Sequence, residues 1–178
     1  MTEPELLLSA RLFRVVRTRQ TTPDGKEHPR EIIRHPGAVV ILPLLDDGRV
    51  VLIENYRVAV GQRLVELPAG TLEPDEDLAE AALRELAEET GYRAGSMQRL
   101  ITFYSSPGFL DEALHLFVAT ELREGPTDLD SGEDIRTLVV PWPEAMALAG
   151  QGRVQDGKSL VGLLYWEVFG KGGTCEAT

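Results

Sequence analysis

Cysteine is nearly missing from this chain of 178 residues: Cys175 stands alone, in the stretch GKGGTCEAT. That excludes an intrachain disulfide framework and a cysteine-rich zinc site, and makes a reducing cytoplasm the expected compartment. Basic residues are few beside acidic ones, 18 against 29, for a formal net charge of -11. With so little cationic surface to neutralise phosphates, no nucleic-acid or anionic-membrane partner is expected, whereas a metal cation or a basic partner is easily accommodated. Long apolar runs are also lacking; nowhere do eighteen apolar residues follow one another, so no spanning helix is expected. The opening MTEPELLLSARLF puts acidic residues where a secretory signal carries basic ones. Aromatics reach only 6%, but 43% apolar and 26% charged is an ordinary globular balance that argues against disorder, collagen-like repeats and coiled coil. The length fits one domain with a small extension.

Strand-like segments at residues 11–19 and 30–34 flank the turn signal Pro23-Asp24-Gly25 and predict a ribbon with thin core support. Residues 38–45 are almost continuously apolar, Asp46-Asp47-Gly48 marks a turn, and residues 50–53 resume the pattern, as buried paired strands do. Residues 75–90 turn to Glu, Ala, Leu and Arg, good helix formers, with Gly91 where a helix end favours glycine. Strands are predicted at 97–104, 114–122 and 135–142, a short helix at 143–149 and a last helix at 157–168. This order predicts an α/β fold, a mixed sheet with helices packed against it.

The helix at 75–90 superimposes two patterns. Leu78, Ala82 and Leu86 recur every four residues as an apolar stripe, and Glu85, Glu88 and Glu89 crowd the adjoining face. A solvated face with Arg84 paired to Glu88 is the plain reading. Two features weigh against it. The carboxylates lie toward the helix C-terminus, where the macrodipole disfavours each anion by about 0.3 kcal/mol or more. Hard oxygen ligands at this spacing also suit Mg²⁺ or Mn²⁺, held by a few carboxylates together with substrate phosphates.

Gly70, five residues, Glu76, seven residues, then Arg84-Glu85-Leu86-Ala87-Glu88-Glu89-Thr90-Gly91-Tyr92 resembles the Nudix box, G-x5-E-x7-REUxEExGU with U bulky and apolar. Gly70, Glu76, Arg84, Glu85, Leu86, Glu88, Glu89 and Gly91 match in register, and Tyr92 is the one departure. Each specified residue type occurs at about 5–10% by composition, so eight fixed matches are far more specific than a two-glycine motif. The resemblance implies a Nudix-type α/β/α sandwich with a mixed sheet, and cleavage of a nucleoside diphosphate linked to another moiety. It implies two or more Mg²⁺ or Mn²⁺ ions held by Glu85, Glu88, Glu89 and the carbonyl of Ala69, with Arg84 and Glu76 bracing the loop. The chemistry is coherent in itself: a diphosphate repels hydroxide, so hydrolysis needs cations on the non-bridging oxygens and a general base.

Pro107 follows Gly91 by sixteen residues, within Phe103-Tyr104-Ser105-Ser106-Pro107-Gly108-Phe109, which resembles the ADP-ribose pyrophosphatase subgroup; a Pro-Gly pair is also simply a turn. In that subgroup Arg57 and Glu66 resemble substrate-contacting positions, Arg57 gripping phosphate with its planar fork or standing as an ordinary exposed arginine. Glu112 is placed to bond ribose hydroxyls, and Tyr104 is expected in the core. Gly132-Glu133-Asp134-Ile135 resembles the loop that delivers the base, with Glu133 the candidate and Asp134 the alternative. His28, His35 and His115 show no metal spacing. By the same resemblance, residues 1–36 form a strand extension for homodimerisation and the adenine pocket, residues 37–170 the hydrolase domain and residues 171–178 a tail. The implied reaction is ADP-ribose plus water to AMP and ribose 5-phosphate. Alternatives are other nucleotide diphosphate derivatives such as GDP-mannose, FAD or NADH, and a noncatalytic ADP-ribose-sensing module.

Overall fold

A computed structural model describes residues 3–129 and 134–170. The chain begins with an antiparallel sheet of its own: β1 (Glu5–Ser9), β2 (Arg14–Thr21) and β3 (Glu27–Arg34) in the order β1-β2-β3. The β2-β3 hairpin turns where Pro23-Asp24-Gly25 predicts it, the Gly25 N–H bonding the Thr22 carbonyl at 2.9 Å. β1 is not anticipated by the sequence reading, because its Leu6, Leu7 and Leu8 lack alternation and remain 57%, 39% and 52% exposed. β2 begins at Arg14 rather than at residue 11, the chain first turning with the Ala10 N–H on the Phe13 carbonyl at 2.9 Å.

Next come β4 (Ala38–Pro43) and β5 (Arg49–Arg57), then two short strands that carry little hydrophobic signature, β6 (Gln62–Glu66) and β7 (Ala69–Thr71). Helix α1 (Leu78–Thr90), β8 (Tyr92–Tyr104), β9 (Ala113–Glu124), β10 (Ile135–Pro141), α2 (Trp142–Gly150) and α3 (Gly157–Tyr165) follow. One turn of π-helix, Trp166–Gly170, continues α3 where an unbroken α-helix is predicted. A mixed sheet, β7-β4-β9-β8, pairs β4 parallel to β9 and antiparallel to β7; an antiparallel sheet, β10-β5-β6, lies beside it.

The period of two along β4 divides the core. Val40 and Leu42 join Leu52, Leu116 and Leu163 on the side of α2 and α3. Val39 and Ile41 join Val51, Phe117 and the α1 residues Ala82 and Leu86 on the other. Val39 to Leu42 are fully buried, and each contributes about 1.5–3 kcal/mol of apolar burial. Helices on both faces of buried strands make the α/β/α sandwich.

Helix α1 starts at Leu78 rather than at residue 75. Asp75 has φ 61°, the left-handed region, which a right-handed helix cannot include. Asp77 caps the start by accepting the N–H groups of Ala79 at 2.8 Å and Glu80 at 3.2 Å. Gly91, at φ 76°, ends it, its N–H on the Ala87 carbonyl at 2.9 Å. Tyr104 departs from expectation: at the end of β8 it is 60% exposed, outside the core.

Candidate active site

The strand-to-helix connection brings the C-terminal half of α1 against β7. Ala81, Ala82 and Leu86 are buried in the core, which brings Glu85 and Glu89 against Ala69 and Gly70 of β7. Arg84 is the hub. Its Nε and Nη2 bond both oxygens of Glu76, at 2.8 and 3.0 Å, while Nη1 donates to Glu85 at 2.7 Å and to Glu88 at 3.0 Å. Hydrogen bonding to Glu76 raises the Arg84 pKa against the opposing effect of burial, and the same bond holds the Glu76 carboxyl below its ordinary value.

Glu89 faces inward, 5% exposed, and accepts the Ala69 N–H at 2.9 Å. A Cβ at Gly70 would fall on the Glu85 carboxyl group and displace it. The bare glycine lets the Glu85 carboxylate lie directly against main chain. Of the predicted ligands, Glu89 bonds Ala69 of β7 directly, and Glu85 and Glu88 share Arg84 on the neighbouring face of α1. Among the described residues, however, no three His, Cys, Asp or Glu side chains already converge as a metal cage. Arg84 bonds Glu85 and Glu88, and Glu89 is directed to the Ala69 amide. The donor set still fits a hard divalent cation: carboxylate oxygens on a cradle that a Cβ would fill.

A second charged cluster adjoins the first. Arg57, at the end of β5, forks onto Glu66 of β6 with two bonds of 2.7 Å, and Lys158 of α3 donates to the same carboxylate at 2.5 Å. Glu66 is 1% exposed, so it does not itself meet solvent; it seats the two cations. Burial alone would push its pKa up, but the bonds from Arg57 and the charge of Lys158 prevail and hold it below the usual value. Asp156 caps α3 through the Ser159 N–H at 3.0 Å and also pairs with Lys158 at 3.0 Å. The Ser159 hydroxyl in turn accepts the Leu67 N–H at 2.7 Å, tying α3 to the approach of Gly70.

A cavity of about 310 Å³ opens beside the second cluster, lined by Arg57, Ala69, Gly70, Glu112 and Lys158, and reaches the first only through the Ala69 and Gly70 main chain. It shares Leu12, His35 and Thr71 with a groove of about 820 Å³ between the N-terminal sheet and the Glu73–Glu76 loop. Glu112 therefore reaches the cavity, with the His35 ring 3.6 Å away. Pro107 does not line it. It sits in a turn whose far side is fastened to the ribbon: the Ile33 N–H bonds the Phe109 carbonyl at 2.8 Å, and Asp111 pairs with Arg34 at 2.8 Å.

Glu133 lies outside the described residues. Asp134, the alternative base, lies just before β10 with its carboxylate paired to Arg63, while its carbonyl accepts a second Arg63 bond at 2.9 Å. His35 and His115 serve local structure. His35 Nδ1 accepts the Gly37 N–H at 3.1 Å, and burial, with Arg99 nearby, lowers the His115 pKa.

Lys158, Asp156 and Ser159 are the site residues that the sequence reading misses. Their signal is local, an Asp-x-x-Ser cap before an apolar run, with one of only three lysines in the chain inside it. Nothing in that segment points 92 residues back to Glu66.

This arrangement, a glycine-seated acidic helix face inside an α/β/α sandwich, defines a class of nucleotide-cleaving folds. The family model described as NUDIX domain matches residues 34–160, and the chain belongs to the Nudix hydrolase family. It is 37% identical over 166 residues, 92% of this chain and 90% of the other, to a methanol dehydrogenase activator of Bacillus methanolicus. It is 39% identical over 148 residues, 82% of this chain and 80% of the other, to an ADP-ribose pyrophosphatase of Bacillus subtilis (strain 168). A GDP-mannose pyrophosphatase of Enterobacter sp. (strain 638) is 35% identical over 154 residues, 80% of each chain. A crystal structure of an ADP compounds hydrolase shares the fold with a TM-score of 0.79 at 23% identity, over 97% of each chain. No helix among the described residues is long and apolar enough to cross a membrane.

Proposed function

We propose that the protein hydrolyses the diphosphate of ADP-ribose, giving AMP and ribose 5-phosphate. The observation that carries this reading is the juxtaposition, beside Ala69 and Gly70 of β7, of an anion-rich helix face and a pair of cations on one buried carboxylate. A diphosphate accompanied by divalent cations complements both. Glu85, Glu88 and Glu89, with the Ala69 carbonyl, would hold Mg²⁺ or Mn²⁺. Such ions, when bound, neutralise non-bridging oxygens and make water more acidic.

The protein's own contribution is positional. Arg84 and Glu76 fix the loop that carries Gly70, and Arg57 presents a guanidinium to the cavity. Glu112 is at the cavity wall to accept ribose hydroxyls, and the Pro107 turn holds that wall to the ribbon. Glu133 is the assigned general base; the Arg63 ion pair on Asp134 favours it over its neighbour. Replacing Glu133 by Gln is expected to lower kcat by roughly 10²- to 10⁴-fold with little change in KM. An unchanged kcat would remove Glu133 from the role. Residues 1–36 are assigned to homodimer formation and the adenine pocket, and sedimentation of the full chain tests the dimer.

The relatives named for ADP-ribose and for GDP-mannose make a substrate panel the deciding experiment. With Mg²⁺ present, ADP-ribose should have the highest kcat/KM among ADP-ribose, GDP-mannose, FAD and NADH; a higher value for another member reassigns the substrate. The relative named as a methanol dehydrogenase activator supports a second reading, in which the protein alters the rate of a dehydrogenase. Adding it to a methanol dehydrogenase, with and without ADP-ribose hydrolysis, separates the two.

A further inference from the structure

We propose that the open end of the β8-β9 hairpin carries an anion site, formed by Arg93 and Arg123, that takes a phosphomonoester dianion and is separate from the cavity at Ala69 and Gly70.

Beyond Ala119, β9 pairs with β8 alone. There Arg93 stands directly opposite Arg123, and residues opposite one another in an antiparallel pair share a face. Like charges so placed repel and cost stability. The chain has 29 acidic residues against 18 basic ones, so carboxylates are plentiful as partners. Arginines elsewhere take them: Arg17 pairs with Glu5 and Glu31, and Arg84 with Glu76, Glu85 and Glu88. Among the described residues, Arg93 and Arg123 pair with none. Glu124, adjacent to Arg123, accepts the Tyr92 hydroxyl at 2.9 Å instead.

Helix stabilisation accounts for half of the pair. α1 has no basic residue in its last turn, and Arg93 Nη1 donates to the Gly91 carbonyl at 3.2 Å, which puts a cation at the negative end of the helix. Arg123 has no such bond among the described residues. Both arginines instead line a groove of about 570 Å³ with Glu124 and the bare positions Gly95 and Gly125. This groove shares no lining residue with the cavities of about 310 and 820 Å³. A Cβ at Gly125 would fall on the Arg93 guanidinium, so the glycine lets that group lie against main chain. Next to the pair, Glu121 has φ 56°, a left-handed conformation costly for a residue with a Cβ, and its side chain lies over Gly95, outside the groove lining. Strain of this kind persists where the surroundings enforce it, and it gathers at binding sites.

Two guanidinium forks with two positive charges select the ligand. A phosphomonoester carries a charge of about −1.5 to −2 near neutral pH and three strong acceptor oxygens, which matches both forks, whereas a carboxylate brings half the charge. Its arrival replaces a repulsion with charge-assisted hydrogen bonds.

The test titrates inorganic phosphate into the metal-free, isotope-labelled full chain and follows the Gly95 and Gly125 amides by NMR. Both should shift with one midpoint in the wild type. R123A should raise that midpoint at least about tenfold, and R123K should recover part of the loss. Gly125→Ala displaces Arg93 without removing charge and should also weaken binding. The Tm of R123A should equal or slightly exceed that of the wild type, because a repulsion is removed, which a structural role for Arg123 would not allow. AMP is titrated in parallel: a lower midpoint than phosphate identifies a nucleoside monophosphate, an equal one the phosphate group alone, and both support the site. No phosphate-dependent shift at Gly95 and Gly125, or the same midpoint in R123A as in the wild type, would overturn it. The outcome does not depend on which nucleotide the protein hydrolyses.

Discussion

At the acidic face of α1, Glu76, Glu85 and Glu88 share the Arg84 guanidinium; beside the neighbouring cavity, Arg57 and Lys158 share the Glu66 carboxylate. The stoichiometries are inverted, and so are the depths. The Glu85 and Glu88 carboxylates of α1 are 12% and 36% exposed, within reach of solvent ions, whereas Glu66 is 1% exposed. An acidic group added to the first cluster increases repulsion that only a cation can relieve. Removing the acidic group from the second leaves Arg57 without its fork partner and Lys158 with Asp156 alone. The same residue type is therefore a functional burden in one region and a structural necessity in the other.

Substitutions by Gln should split the two regions cleanly. Glu88→Gln is expected to lower kcat for ADP-ribose by roughly 10²- to 10⁴-fold, because a charge meant for cation binding is lost. It should leave Tm within about 2 °C, since a partly exposed i,i+4 ion pair contributes little and a repulsion is removed. Glu66→Gln is expected to do the reverse in kind: a loss of about 3 kcal/mol in denaturant unfolding, from breaking a buried ion pair on one side only. If Glu88→Gln unfolds the protein, or Glu66→Gln leaves its stability intact, the contrast fails.

Acid should probe the same difference. Glu66 and Glu76 have folded-state pKa values below their ordinary 4.5. Each therefore contributes stability that is fully present above about pH 4.5 and is lost as pH falls through the folded values, because the unfolded chain binds the proton first. Wild-type Tm should accordingly drop on acidification below about pH 4.5, and Glu66→Gln should show a shallower drop. A slope unaltered by that substitution would assign the acid sensitivity to other carboxylates.

Smaller effects define the frame around the clusters. Gly70→Ala places a methyl group on the Glu85 carboxyl and should lower kcat/KM roughly tenfold to a hundredfold by displacing it. Asp111→Ala removes the Arg34 ion pair and the acceptor of the His35 N–H at 2.8 Å. It should cost about 1–2 kcal/mol and raise amide exchange in β3, with both charge clusters untouched.

The acidic face was legible in the chain because everything that makes it is local. Gly70, Glu76 and the Arg84 to Gly91 segment lie within one turn-and-helix unit, and helical periodicity alone puts the carboxylates on one face beside the Leu86 stripe. The buried β4 strand and the Gly91 helix end were readable for the same reason. The cluster on Glu66 was not, because it is assembled by tertiary packing: Glu66 meets Lys158 only when α3 docks through Ser159 onto the Leu67 amide. β7 has three residues, too few for a period of two to register. Tyr104 looked like a core residue from its strand, but it lies at the strand end, where the pleat faces solvent.

The central claim, that the anion-rich face of α1 exists to hold divalent ions against a diphosphate, is tested most directly by titrating Mg²⁺ or Mn²⁺ calorimetrically into the wild type and into a Glu85→Gln, Glu88→Gln double variant. Each titration is run with and without α,β-methylene ADP-ribose, which cannot be hydrolysed at its bridge. The account predicts ion uptake by the wild type, tighter when the analogue is present, and its loss in the double variant. Uptake of no ion by the wild type with the analogue bound, or equal uptake by both proteins, would contradict it.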